Sequence, residues 1–311
     1  MTHAIDFHFH SLYSDGNAMP ETMVASAKMD NPRVACLALT DHDTFAGCER
    51  FIKACSQQGV RGFVSAEIAG SHRDYPEFEL HLIANLGPAW NASVAERADL
   101  FHAYWNSLRQ TDHRNLFLFL EKAAEQGVFL SFRDVTRKAM ENALAHGPDD
   151  HGLIRPVAFS HVRKLLREKG LDDKGRAFEK AVWETAGLRP VPTPPIDAAY
   201  DAFRKAGPVV TLAHPMHHPW TMRQARAVIE ELKAEIGLTA IEAHYQGRAY
   251  AEWIACAQDM GLLVSAGSDC HTAGYGLPHP ETRRVYHVQE ADETVCDLHA
   301  LIEKFEDAGN G

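Results

Sequence analysis

The sequence predicts an α/β fold in which mostly parallel strands curl into a barrel, interrupted by a long helical insertion. Three observations lead there. Short, continuous apolar runs recur along the chain, as expected of strands buried on both faces. Helical stretches separate those runs at βα spacing. The runs also end at, or contain, His, Asp or Glu, and parallel barrels collect their sites at the carboxyl ends of their strands.

Taken in order, Ile5–His10 alternates apolar and polar groups and meets the turn-prone Ser14-Asp15-Gly16, a strand running into a loop. Pro20 to Met29 reads as a helix. Val34 to Thr40 is an apolar run that stops at Asp41-His42-Asp43. A second helix is expected from about Thr44 to Gln58, closed by Gly59. Gly62 to Glu67 is a third strand, ending in a carboxylate. Phe78 to Leu86 is a fourth, with His81 inside it.

After Gly87-Pro88 the texture changes. Ser93-Val94-Ala95-Glu96 has the form of a helix capping box, and Leu100, Tyr104 and Leu108 recur at helical spacing. Helical pattern dominates to about Gly187, broken by turns such as Gly147-Pro148-Asp149-Asp150. Pro190, Pro192, Pro194 and Pro195 then close the segment like a linker. Residues 91–195 are therefore expected to form an inserted helical subdomain, with 1–90 and 196–311 forming the barrel. Strand–helix alternation resumes with Val209 to Ala213 ending at His214-Pro215. Leu238 to Ala243 is a strand, Tyr250 to Met260 a helix, and Leu262 to Ala266 a strand ending at Gly267-Ser268-Asp269-Cys270-His271.

Bulk properties narrow the class. The chain has 311 residues, 45% hydrophobic and 23% charged, which is ordinary for a soluble globular protein. It has no run of about 18 apolar residues, and Met1–His10 lacks the pattern of a signal peptide, so the expectation is a cytoplasmic protein without membrane association. The six cysteines form no C-x-x-C pair and are expected to be small buried hydrophobes. A net charge of −11 disfavours duplex nucleic acid as a partner, although metal ions could still recruit a small anion. Oligomeric state is not encoded in any recognisable pattern.

The unusual count is 19 His. Singly, each motif is weak: His8-x-His10 can be two strand residues on one face, and Asp41-His42-Asp43 can cap a helix. Together they are not weak. Six strand segments carry His8/His10, His42, Glu67, His81, His214 and Asp269/His271. Burying that many ionisable groups without partners costs several kcal/mol for each unpaired charge. Shared divalent cations would offset the cost, and imidazole with carboxylate suits Mn²⁺, Fe²⁺ or Zn²⁺.

The motifs His8-Phe9-His10-Ser11, Ser14-Asp15-Gly16, Leu39-Thr40-Asp41-His42-Asp43-Thr44, Ala66-Glu67-Ile68, Leu80-His81-Leu82-Ile83, Leu212-Ala213-His214-Pro215 and Gly267-Ser268-Asp269-Cys270-His271 stand in one order along the chain. On them the sequence resembles the polymerase and histidinol phosphatase (PHP) family of metal-dependent phosphoesterases. The resemblance implies a distorted (β/α)₇ barrel, a helical lid subdomain over the active site, and up to three divalent metals, Mn²⁺ foremost. It implies one metal on His8, His10, Glu67 and Asp269, and a second on Glu67, His81 and His214. A third would take Asp15, His42 and His271. Asp6, Asp41 and Asp43 read better as groups that orient ligands or cap helices. The expected chemistry is in-line attack on phosphorus by a hydroxide bridging the metals.

Within the family the chain most resembles the branch acting on small nucleotides or short RNA ends, and it departs from that branch where substrate would be read. An Arg usually stands two residues before a His at the position of His161, whereas here the run is Phe159-Ser160-His161. Arg155 is the expected substitute. Arg155 and His161 are thus the candidate catalytic groups, for phosphate binding or leaving-group protonation, against a plain surface role for His161. After His214-Pro215 the usual Gly-Arg is replaced by Met216-His217-His218-Pro219-Trp220. After Ile241-Glu242-Ala243 comes His244-Tyr245-Gln246-Gly247-Arg248. His217, His244 and Arg248 are the substrate-binding candidates, with a solvated helix start as the alternative for Arg248.

The expected activity is a phosphomonoesterase on a small phosphorylated metabolite, such as a 3′-phosphorylated or 3′,5′-bisphosphorylated nucleotide. A phosphodiesterase or 5′-3′ exonuclease on short RNA or cyclic phosphates is the nearest alternative. It would need a basic track, which Arg109, Arg114, Arg133, Arg137, Lys138, Arg163, Lys164 and Arg167 could supply. An amidohydrolase is disfavoured because Glu67 stands where a carboxylated Lys would bridge. A non-catalytic metal-binding module is disfavoured by the complete ligand set.

Overall fold

The computed structural model describes residues 3–75, 79–100, 102–144, 159–171, 176–187, 195–196, 203–272, 275–276, 285–291 and 297–310. The chain divides into two compact units, residues 1–103 with 195–311, and residues 104–194.

In the first unit, β1 (His3–Phe9), β2 (Val34–Leu39) and β3 (Arg61–Ser71) alternate with α1 (Pro20–Asp30) and α2 (Cys48–Gln58). β4 (Glu79–Gly87) and α3 (Ala92–Asp99) follow. α4 (His102–Glu125) leads into the second unit. The first unit resumes with β5 (Val209–Leu212), a 3₁₀ turn at Pro215–His217, α8 (Met222–Ile236), β6 (Leu238–Tyr245) and β7 (Arg248–Ala249). It ends with α9 (Ala251–Asp259), β8 (Leu263–Gly267), β9 (Gln289–Ala291) and α10 (Leu298–Asn310).

The strands form one sheet in the order β7-β6-β5-β4-β3-β2-β1-β9, with β8 also pairing β6. The sheet closes on itself. Phe9 bridges Cys270, the His10 amide donates to Cys270 O at 2.8 Å, and the Asp269 amide donates to His8 O at 2.7 Å. β1-β2-β3-β4-β5-β6-β8 is therefore the distorted seven-strand barrel that the sequence predicts.

One strand corrects the expectation of a parallel barrel. β4 runs antiparallel to both β3 and β5. The connection over residues 72–78 is too short for the crossover that a parallel pair needs. Reversal moves the start of β4 to the carboxyl ends of its neighbours. His81 pairs with Ala69 of β3, and its carbonyl accepts from the Ala213 amide at 3.0 Å.

Local chemistry explains the elements. α1 starts with Pro20 in its first turn and buries Met23, Val24 and Ala27. α2 buries Phe51, Ala54 and Cys55 and ends at Gly59, whose φ of 63° suits glycine. These side chains pack with Phe9, Leu37 and Leu39 into one core. α8 has a complete capping box, Thr221 with Gln224. The five described cysteines are all free and buried, as expected of small hydrophobes.

Two boundaries differ from the sequence expectation. α2 begins at Cys48 rather than near Thr44, because residues 44–48 form turns first: the Ala46 amide donates to Thr44 Oγ1 and the Cys48 amide to Phe45 O. Ser93 does not cap α3: Asn91 takes the N-cap, its side chain accepting from the Val94 amide, which leaves Ser93 inside the first turn. Arg97 of α3 donates to Ala308 O at 2.7 Å, tying this helix to α10 within the first unit.

The second unit contains α4, α5 (Phe132–Leu144), α6 (Phe159–Glu168) and α7 (Arg176–Thr185). Its own core gathers Leu116, Phe119, Val135, Val162, Leu166 and Trp183, among others. The expected turn at residues 147–150 and the prolines at 190, 192 and 194 lie outside the described residues. No described helix is long and apolar enough to cross a membrane.

Candidate metal centre

At the carboxyl ends of the barrel strands, the nine side chains singled out as ligands come together. His8 and His10 occupy one face of β1 and its end, because alternate residues of a strand point the same way. His42 follows β2 and bridges to Glu67 on β3. His81 comes from reversed β4, His214 follows β5, and Asp269 and His271 follow β8.

Glu67 is the hub and is fully buried. Its Oε1 lies 2.8 Å from His81 Nδ1 and 2.9 Å from His214 Nε2. Its Oε2 lies 3.2 Å from His8 Nε2, from His10 Nε2 and from His42 Nδ1. Asp269 Oδ1 stands 3.2 Å from His10 Nε2 and 3.5 Å from His8 Nε2. At the more open edge, Asp15 Oδ1 is 3.2 Å from His271 Nε2 and 3.9 Å from His42 Nε2.

These residues fall into three overlapping groups that could each hold a cation: His8, His10, Glu67 and Asp269; His10, Asp15, His42 and His271; and His42, Glu67 and His81. His42 belongs to two groups because its two ring nitrogens face different carboxylates. The family resemblance implies only one of them. His214 reaches the centre through its contact with Glu67 Oε1.

The donor atoms fit a metal. Buried Glu67 Oε2 has three imidazole nitrogens at close range, yet none meets hydrogen-bonding geometry. His8 Nε2 and His10 Nε2 point at each other across 3.2 Å. Lone pairs aimed at common points, without a thiolate among them, suit Mn²⁺, Fe²⁺ or Zn²⁺.

The electrostatics are those of a dense ion-pair network. Burial pushes the Glu67 carboxyl up, but His8, His81 and His42 more than offset this and hold it well below the carboxylate range. Asp269 and Asp15 are likewise held low against burial, mainly by His271. His10 rises to about 10, because the Asp269 and Glu67 carboxylates facing it outweigh burial. His42 goes the other way, to about 4, since burial dominates there and His10 and His81 add positive charge.

The surrounding acids divide as the sequence suggested. Asp41 accepts from the Ser11 amide at 2.7 Å, Ser11 Oγ at 2.6 Å and Ser14 Oγ at 2.7 Å, which shapes the loop carrying Asp15. Asp6 accepts from the His8 and Ser268 amides and from the Tyr275 hydroxyl. Asp43 Oδ1 accepts from the Ala69 amide at 3.2 Å.

Two participants were not anticipated. Glu242 of β6 is buried, with Oε1 3.0 Å from His8 Nδ1 and Oε2 accepting from the His214 amide at 2.8 Å. The Tyr245 hydroxyl donates to Asp269 Oδ2 at 2.6 Å. An irregularity between Glu242 and His244 in the β6–β8 pairing passes the inward face of β6 from Glu242 to Tyr245. A carboxylate inside an apolar run was the readable signal for Glu242, the same signal that marked Glu67.

The substrate-binding candidates separate. His217 sits at the centre's rim, stacked on His214 at 5.0 Å and edge-on to Tyr245 at 4.9 Å. His244 falls off the inward face of β6 for the reason just given. Arg248 is exposed on β7. His161 lies on α6 of the helical unit and is buried, which rules out the surface role considered for it. Arg155 lies outside the described residues.

A further grouping, His72, Asp74 and Glu231, stands apart. His72 Nδ1 accepts from the Asp74 amide at 3.1 Å, and its Nε2 stands 3.2 Å from Glu231. With Arg73 also on Glu231, this is an ion-pair link from the end of β3 to α8.

Comparison with known proteins agrees with this geometry. Residues 6–88 match the PHP domain model. The chain is 25% identical over 283 residues to a 5′-3′ exoribonuclease of Haemophilus influenzae, covering 87% of this chain and 91% of that protein. It is 24% identical over 284 residues to a 3′,5′-nucleoside bisphosphate phosphatase of Chromobacterium violaceum, covering 88% of each. Among solved structures, one described as an amidohydrolase from Chromobacterium violaceum, with bound sulfate and no metal, superposes with a TM-score of 0.71 at 20% identity. It covers 97% of this chain and 96% of that one. At that identity the likeness is one of fold.

Proposed function

We propose, from the premise that this chain is a metal-dependent phosphoesterase of the PHP family, that it is a phosphomonoesterase acting on a small phosphorylated metabolite, with a 3′-phosphorylated or 3′,5′-bisphosphorylated nucleotide as the leading substrate. The observation that carries the reading is the convergence of His8, His10, His42, His81 and His214 on one buried carboxylate, Glu67.

In this reading the nine ligands hold up to three divalent cations, Mn²⁺ foremost. Such cations supply Lewis acidity toward phosphoryl oxygens and water and neutralise the substrate's charge. The chain's own part is to hold the donors in place. Glu67 presents both oxygens to the centre, Asp269 is oriented by Tyr245, and the loop bearing Asp15 is fixed by Asp41. His217, at the rim, is placed to contact the substrate beside His214.

A small substrate is also favoured by charge. Of the basic residues that an RNA track would need, Arg137 and Lys138 pair with Glu141, Lys138 also pairs with Glu168, and Arg163 pairs with Glu179 at 2.7 Å. These cations are engaged within the helical unit. The second reading, a 5′-3′ exonuclease on short RNA, is kept because the Haemophilus influenzae relative carries that name at similar identity.

The two readings separate by product. Metal-loaded protein would be offered 3′,5′-bisphosphorylated nucleosides, 5′-phosphorylated short RNAs and phosphorylated sugars, with free phosphate and released nucleotides both measured. Phosphate from the bisphosphorylated nucleoside with intact RNA supports the monoesterase. Mononucleotides released stepwise from RNA without free phosphate favour the exonuclease.

A further inference from the structure

Glu242 contacts two candidate ligands that come from different parts of the chain. His8 Nδ1 lies 3.0 Å from Oε1 and 3.2 Å from Oε2, and Oε2 also accepts from the His214 amide at 2.8 Å. An ionised carboxylate only accepts, so the pair is satisfied when His8 carries a proton on Nδ1. That tautomer leaves the His8 Nε2 lone pair aimed at His10 Nε2, Glu67 Oε2 and Asp269 Oδ1.

The second contact restrains the backbone. His214 sits at φ 26° and ψ 54°, outside the regions a non-glycine residue adopts freely. The bond from its amide to Glu242 holds that conformation, and in it His214 Nε2 reaches Glu67 Oε1 at 2.9 Å. Space for the carboxylate is made by Gly267. A Cβ there would lie 2.2 Å from Glu242 Oε1 and 2.3 Å from His8 Cβ.

We infer that Glu242 is the positioning residue of the metal centre, fixing the tautomer of His8 and the backbone of His214 with its two oxygens. The inference rests on the reading that divalent metals occupy the site. A carboxylate behind a ligating imidazole fixes ring orientation and raises ligand basicity, and its loss typically weakens metal binding about 10–100-fold. A glutamine cannot replace it. An amide has one accepting atom, so either His214 loses its acceptor or His8 meets an NH₂ group that favours the Nε2-protonated form.

The test uses the full chain with Zn²⁺, a diamagnetic probe. Long-range ¹H–¹⁵N NMR of the Zn²⁺-loaded wild type, with His8 assigned through His8→Ala, should show His8 protonated at Nδ1. A proton at Nε2, or ligation through Nδ1, overturns the inference and needs no folded variant. In Glu242→Gln, Zn²⁺ affinity measured by competition with a chelator should fall about 10–100-fold. Unchanged affinity in a folded Glu242→Gln protein also overturns it. Neither readout involves a phosphate ester, so failure here is distinct from failure to find a substrate.

Discussion

His81 Nδ1 lies 2.8 Å from Glu67 Oε1, although the two residues stand on strands that run in opposite directions. In a fully parallel barrel, His81, three residues into its strand, would sit far from the carboxyl end where the other ligands gather. Reversal of β4 places it there, and this departure from a parallel barrel is thereby tied to the site.

Glu67 is the first residue to test. Glu67→Gln keeps the shape but removes the charge that faces five imidazoles. Bound metal and phosphoesterase activity should both fall by more than about 100-fold, beyond the effect of losing an orienting group. Metal analysis after gel filtration, with activity on the same sample, checks this. Full metal content in the variant would remove Glu67 from the centre.

Tyr245→Phe removes the hydrogen bond to Asp269 and the one the hydroxyl accepts from Gln246, while keeping the ring. A bond to a charged acceptor contributes about 1.5–3 kcal/mol, so metal affinity should weaken roughly tenfold or more while the fold is kept. Chelator competition measures the affinity and circular dichroism the fold.

Gly267→Ala tests the crowding behind His8. The added methyl would meet Glu242 and His8 well inside contact distance. Overpacking of this kind costs about 1–3 kcal/mol. A lowered denaturation midpoint, with reduced metal content in the surviving fold, is the expected result.

The metal-free protein should be sensitive to alkali. His10 rises to about 10 in the fold because the Asp269 and Glu67 carboxylates facing it outweigh burial. A group with a raised folded pKa contributes stability that is fully present below its unfolded value, about 6.5 for histidine, and is lost as pH rises through the folded value. Melting of the metal-free chain should therefore decline between about pH 6.5 and 10. Because ligands must shed protons, metal uptake at pH 8 should release them, and affinity should weaken as pH falls. Calorimetry in buffers of differing ionisation enthalpy reads the proton count; zero release would contradict the assignment.

How much of this was legible in the sequence depends on what each feature required. Eight of the nine candidate ligands are legible because they end or interrupt an apolar run, where an unpaired polar group is costly, whereas Asp15, in the turn Ser14-Asp15-Gly16, is marked only by the resemblance to the family's motifs. Glu242 carried the same signal within Ile241-Glu242-Ala243 but was passed over, since its partners are an imidazole on β1 and an amide after β5, both distant in sequence. Tyr245 and His244 were confused because strand alternation assumes a regular ladder, and β6 is irregular at that point. The reversal of β4 was hidden for another reason: an apolar run reports burial, not direction. Ser93 fits a capping box on pattern alone, but Asn91 two residues earlier is an equally good capping residue and takes the role, its side chain accepting from the Val94 amide.

The most direct measurement is a titration of Mn²⁺ into metal-free protein, recording bound metal and phosphate release from a 3′,5′-bisphosphorylated nucleoside together. Phosphate release that rises with occupancy, and is abolished in His8→Ala/His10→Ala, is the predicted result. Metal that binds fully while phosphate release stays flat across phosphorylated nucleotides and sugars would contradict the assignment of this centre to phosphomonoester hydrolysis.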